Sequence, residues 1–180
     1  MPIKNTAVRY GLIAKTFHWL LFLMILGALV GGYLQTTMED GPDKNQAGFL
    51  HMSFGFTILV LAMLRLTWRL YNTQPAASSA LSAKEQSVSR LMHYCLYVLM
   101  LAQPLSGMLM LNSAGYGLNW FGVFTVPPLV AESESLNGFM HECHEIIWIL
   151  LAVFIIGHAG AAIKHHFIDK NDVLKRMLKG

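Results

Sequence analysis

Charge is scarce in this chain. Only 13% of its 180 residues are Asp, Glu, Lys or Arg, and 54% are hydrophobic; soluble domains carry about 25% charged residues. That deficit excludes an ordinary water-facing surface and indicates an integral membrane protein surrounded by lipid. Cysteine is almost as scarce. Cys95 and Cys143 show no CxxC spacing and lie in or beside apolar stretches, which excludes a disulfide framework and leaves two buried thiols. Internal repeats and low-complexity tracts are missing. So is a convincing small-residue cleavage site after the first apolar run, although Gly31-Gly32 follows it. The basic start (Lys4, Arg9, Lys15) is therefore expected to lead into a retained helix rather than a removed signal peptide.

What the chain does have is four long apolar runs. Residues 14–34, 47–70, 89–111 and 140–166 each match the ~20 residues that cross a ~30 Å hydrocarbon core as a helix. Between them lie a polar, turn-rich loop (35–46, broken by Gly41-Pro42), a second polar loop (71–88) and a longer loop at 112–139. The last is rich in Gly, Pro and interface-seeking aromatics such as Trp120 and Phe121. Pro104 falls inside the third span and is expected to kink it. The tail to Gly180 is short and basic and reads as a surface helix.

The distribution of charge sets the topology. Lys4, Arg9, Lys15, Arg65, Arg69, Lys84, Arg90, Lys164, Lys170, Lys175, Arg176 and Lys179 fall on one side of the four spans. Lys44 alone falls on the other, among Glu39, Asp40, Asp43, Glu132, Glu134, Glu142 and Glu145. By the positive-inside rule both termini are cytoplasmic. The same segregation explains the net charge of +3 without nucleic-acid binding.

Polar side chains within a bilayer are costly and usually functional, so the eight histidines carry the functional signal. His144 and His158 are fourteen residues apart, which on a helix returns them to within roughly 40° of one face and separates them by about 21 Å. The topology then sorts the rest by depth. His51 shares the outer level with His144, and His18 shares the inner level with His158. Two imidazoles on facing helices at one depth suit the axial ligation of haem iron. Zinc fits less well, because neither level offers four ligands and the two levels stand about 20 Å apart. Gly55, one turn from His51, and Ala14 and Ala162 beside His18 and His158 leave clearance for a flat macrocycle, as they also would for ordinary helix packing.

Several neighbours keep alternatives open. His141 can replace His144, but stands about 100° off the face shared with His158. His93 can replace His158 as the partner of His18, or hydrogen-bond near the inner haem or a propionate. Arg65, fourteen residues after His51, can pair with a propionate or simply snorkel to the interface. Lys164 and His165, with His166, can bind a quinone headgroup or form a solvated basic rim.

At these residues the chain resembles the bacterial cytochrome b561 family of small four-helix membrane proteins. The resemblance covers nearly the whole chain. It is carried by Phe17-His18-Trp19, Leu50-His51-Met52-Ser53-Phe54-Gly55, the run Val60 to Leu66, Met92-His93-Tyr94, Gln103-Pro104-Leu105-Ser106-Gly107, His144-Glu145, Gly157-His158-Ala159 and the run Lys164 to Asp172. It implies two haems b, one near each membrane face, with axial pairs His18–His158 and His51–His144. It also implies electron transfer across the membrane, a quinone as inner partner and, less firmly, superoxide as outer donor. The chain departs from the pattern in carrying His141 and Cys143 beside His144, and in outer loops acidic enough to repel an anion such as superoxide.

The expected protein is an all-α, integral membrane four-helix bundle, one membrane domain over residues 1–180, in the bacterial inner membrane. It passes single electrons between a periplasmic-side donor and a quinone near the cytoplasmic side. Two other readings fit the same residues. One is a haem b anchor subunit of a larger dehydrogenase or hydrogenase-type complex, recognisable by co-purification. The other is a haem-free transporter lined by histidines, for which no broken-helix pair or inverted repeat speaks.

Overall fold

With no water in the hydrocarbon to satisfy backbone groups, each apolar run must close its own hydrogen bonds as a helix. A computed structural model describes residues 2–178, and the expected spans form four long helices: α1 (Leu12–Thr36), α2 (Pro42–Tyr71), α3 (Ala83–Ser113) and α4 (Glu134–Phe167). All four are long and apolar enough to cross a membrane. Met1, Lys179 and Gly180 lie outside the described residues, and with them the contribution of Lys179 to the basic side.

The helices overrun the hydropathy-based spans at ends that carry capping signals. Pro42 occupies the first turn of α2, where its missing N–H costs nothing. At the start of α3, Ser82 and Glu85 form a reciprocal capping box: Glu85 N–H donates to Ser82 Oγ and Ser82 N–H to Glu85 Oε2. Ser133 Oγ accepts from Leu136 N–H to start α4. These first turns are polar, so hydropathy alone hides them. The basic tail forms the short helix α5 (Val173–Leu178), as expected.

The loop at 112–139 is more ordered than its composition suggests. It contains a hairpin of β1 (Leu118–Trp120) and β2 (Phe124–Val126), paired antiparallel with Trp120 opposite Phe124. Three-residue strands are too short to show alternation in the sequence. Phe121 and Gly122 at the turn both have positive φ, 48° and 74°, a conformation that strains phenylalanine. Contacts to α2 hold it there. Phe121 N–H donates to Ser53 Oγ, which is fully buried and donates in turn to Asn119 O, while Trp120 Nε1 donates to Thr57 Oγ1.

In the bundle α1 packs on α2, α2 on α3 and α3 on α4, whereas α4 makes no comparable contact with α1 or α2 among the described residues. On the inward face of α4 a slot opens at the outer level. Beside it sits a small core of Leu21, Ile25, Ile58, Ala62, Met100 and Leu151. Leu151 lies seven residues from each of His144 and His158, midway between the two histidine levels. Large apolar side chains such as Leu23, Val30, Ile149, Val153 and Ile156 point outward, the expected arrangement of a lipid-facing surface. The end where α1 and α3 begin is called inner below, and the hairpin end outer.

Candidate functional site

The four paired histidines meet where α4 faces α1 and α2. At the outer level His51 of α2 faces His144 of α4 with ring centroids 6.3 Å apart and planes at 80°. At the inner level His18 of α1 faces His158 of α4 at 6.1 Å and 56°. A metal bonded at about 2.0–2.1 Å to one nitrogen of each ring, each nitrogen lying roughly 1.2 Å from its ring centre, sets the centroids about 6.4 Å apart. Both pairs have this spacing.

The outer level is the more finely built. Its slot has a cavity volume of about 50 Å³ and is lined by His51, Gly55, Ile58, Gln103, Pro104 and His144 among others. A Cβ added at Gly55 would meet nothing within 4 Å, so the expected clearance is open space. Gly32 and Gly107 play the opposite role. A Cβ at Gly32 would stand 2.8 Å from His51 Cε1, and one at Gly107 would stand 3.0 Å from His144 Cε1. These two glycines let α1 and α3 close on the Cε1 edges of the imidazoles, where a side chain would collide.

Hydrogen bonds select the tautomer of His144. Ser106 Oγ donates to Gln103 O at 2.8 Å, so toward His144 Nδ1, 3.0 Å away, it acts as acceptor. His144 therefore carries its proton on Nδ1 and presents a bare Nε2, the arrangement of a metal-ligating histidine. That Nε2 accepts from the Gln103 side-chain amide at 2.9 Å. Gln103 Oε1 and His51 Nδ1 are buried without a hydrogen-bond partner among the described residues. The chain alone leaves this level incompletely satisfied, as fits a place for a further group.

The inner level gathers three imidazoles. His93 of α3 stands 5.2 Å from His158, too close to hold a metal between them. Its Nδ1–H donates to Ser89 O at 2.6 Å. Arg65 Nη2 lies 3.0 Å from His18 Nδ1, and its guanidinium sits 5.4 Å from the Tyr97 ring centre. Guanidinium only donates, so His18 Nδ1 accepts here. A His18 bound to metal through Nε2 needs Nδ1 protonated, and Arg65 must then leave it. Spacing fits the inner pair to haem, and the freed guanidinium is available to a carboxylate.

The remaining sequence candidates are spread out. His141 is exposed, one turn before His144 on α4. Lys164 Nζ and His165 Nδ1 both contact Asp169 Oδ2 at 2.7 Å. Lys164 holds the Asp169 carboxyl below the usual carboxylate range, chiefly through its hydrogen bond. The two groups considered for a quinone are thus tied to one carboxylate at the inner rim.

Comparison with known proteins decides the family. The family model for prokaryotic cytochrome b561 matches residues 9–180. The chain belongs to the prokaryotic cytochrome b561 family. It is 34% identical to cytochrome b561 homolog 2 of Escherichia coli K12 over 182 residues, covering 99% of this chain and 95% of the relative. It is 32% identical to cytochrome b561 homolog 1 of the same organism, covering 89% and 92%. A Yersinia pestis protein described as a probable superoxide oxidase is 28% identical, covering 94% and 96%. Membership makes this b561-family chain a multi-pass protein of the bacterial inner membrane, a haem b protein that serves membrane electron transfer.

In the sequence, the run Gln103 to Gly107 stands out as a motif, with a kink expected at Pro104 and no role assigned to Gln103, Ser106 or Gly107. Their signal was available: polar Gln103 and Ser106, three residues apart on one helix face, interrupt an apolar span. Gly32 and Gly107 carried no such signal, because a glycine that clears a ligand ring looks like any small residue in a membrane helix.

Proposed function

We propose that this protein holds two haems b, with His51 and His144 as axial ligands at the outer level and His18 and His158 at the inner level. It passes single electrons between an outer-side donor and a quinone at the cytoplasmic side. The observation that carries this reading is the pair of facing imidazole sets, at 6.3 Å between α2 and α4 and at 6.1 Å between α1 and α4. When bound, haem supplies a one-electron iron couple, which bis-histidine ligation leaves without an open position.

The chain supplies the rest. Ser106 holds the His144 tautomer, Gly32 and Gly107 set ring positions, and the core around Leu151 excludes water between levels. The basic inner rim orients both termini toward the cytoplasm. The name of the Yersinia relative supports superoxide as a donor to test. The outer rim opposes it: it is acidic, and Lys44, its one lysine in the sequence, is bonded to Asp40 at 2.8 Å. An anion is repelled by such a surface, so the reading favours a neutral or cationic donor.

The test is an absorption spectrum of the detergent-purified protein, oxidised and dithionite-reduced, with haem quantified per chain. A sharp b-type α-band and two haems per chain support the proposal. A folded but colourless protein sinks it and turns attention to transport.

A further inference from the structure

The inner end holds a lysine that haem ligation does not account for. Lys15 lies one turn before His18 on α1 and is only 5% exposed, and its Nζ is buried without a hydrogen-bond partner among the described residues. An unpaired buried ammonium is among the costliest groups a chain can carry. Its side chain leans toward the inner end, because helix side chains tilt toward the N-terminus.

The Arg65–His18 contact sets the register of α2 against α1. One turn further inward on α2 comes Trp68, and one turn beyond it Asn72. Trp68 Nε1 and Asn72 Nδ2 are likewise buried without partners among the described residues. At these atoms all three side chains can only donate. Lys15, Trp68 and Asn72 thus form a set of donors lacking acceptors among the described residues, inward of Arg65 at one end of the α1–α2 pair. The complement of such a set is an anion rich in oxygen.

That anion does not reach Lys15 freely from water. The inner end is closed by a cap in which three segments are sewn together. Leu12 N–H donates to Pro2 O, Ala76 N–H to Ala7 O and Asn5 Nδ2 to Thr73 O, while Arg176 donates to both Val8 O and Ala76 O. Beneath this cap, the acceptor belongs with something held inside the bundle.

We propose that Lys15 binds the acidic edge of the inner haem, its ammonium pairing with a propionate carboxylate on the cytoplasmic side of His18. The inference rests on the His18–His158 pair holding a haem. Within a low-dielectric cap such a pair satisfies the lysine. A fixed cation there favours the reduced, less positive iron.

The test uses full-length protein in detergent, as wild type and as Lys15→Gln, Lys15→Met and Lys15→Arg. Haem per chain and the two midpoint potentials are measured. The expected result is two haems in each variant and one potential lowered in the Gln and Met variants. The lowering should be about tenfold in the one-electron constant, or ~59 mV. The Arg variant should restore it and the second potential should stay put. Loss of one haem in both neutral variants with retention in Lys15→Arg supports the same assignment. Loss in all three overturns it, since packing rather than charge is then at stake. Unchanged potentials with full haem content also overturn it. If in that case the KM for a quinol rises instead, the donors serve a quinone. A wild-type protein without haem brings down the underlying haem reading rather than this assignment alone.

Discussion

The outer and inner levels present the same two imidazoles at nearly the same spacing, 6.3 and 6.1 Å, with very different surroundings. The outer pair is held by neutral, short-range devices: a serine that sets a tautomer, an amide on His144 Nε2, and two glycines against the rings. The inner pair is surrounded by charge, with Arg65 on His18, buried Lys15 one turn away and a third imidazole 5.2 Å from His158. Cations beside a redox centre stabilise its reduced form. On the proposed reading, one ligand set would serve two potentials, with the higher one expected at the inner site.

The sharpest break of this comparison is ligand removal. Replacing His144 or His158 separately with Leu should each take haem content from two per chain to one, and each should abolish a different potential in a redox titration. Loss of both haems from either change would mean that the levels are not independent.

Next come the glycines. Gly32→Ala pushes on His51 from 2.8 Å, and overpacking of about 1–3 kcal/mol should weaken outer haem binding by roughly fivefold to 150-fold. Gly55→Leu projects into open space instead. With haem in the slot it should displace the outer haem. In a haem-free protein it should fill a void and raise the melting temperature, so this variant separates the cytochrome from a transporter.

Smaller effects sharpen the picture. Ser106→Ala leaves His144 Nδ1–H without its acceptor and should cost roughly tenfold in outer haem affinity, with the inner potential unmoved. Ser53→Ala removes the hydroxyl that joins the hairpin to α2 and leaves Phe121 N–H unpaired, at about 1–3 kcal/mol of stability. Thermal unfolding should fall with both potentials preserved, because Ser53 lies on the far side of α2 from His51.

The spans, the basic side and the depth of each histidine were legible because they depend on local composition and helical period alone. His144 and His158 had to share a face, and lipid left helices as the way to bury their backbone. The capped first turns at Ser82 and Ser133 were legible in principle, yet hydropathy passes over polar residues. The hairpin was not. Three-residue strands show no period, and Phe121 adopts positive φ because Ser53, 68 residues away in sequence, receives its N–H.

The sequence by itself determined that this protein lies in a membrane, which residues cross it, and that four histidines lie in pairs at two depths. Those properties follow from the cost of burying charge and backbone in hydrocarbon, which each segment meets alone. Only the tertiary structure decided that α4 stands off from α1 and α2, that Ser106 sets the His144 proton, and that Lys15 is buried without a partner. Each of these depends on which helix lies against which, and that is a property of packing between distant segments.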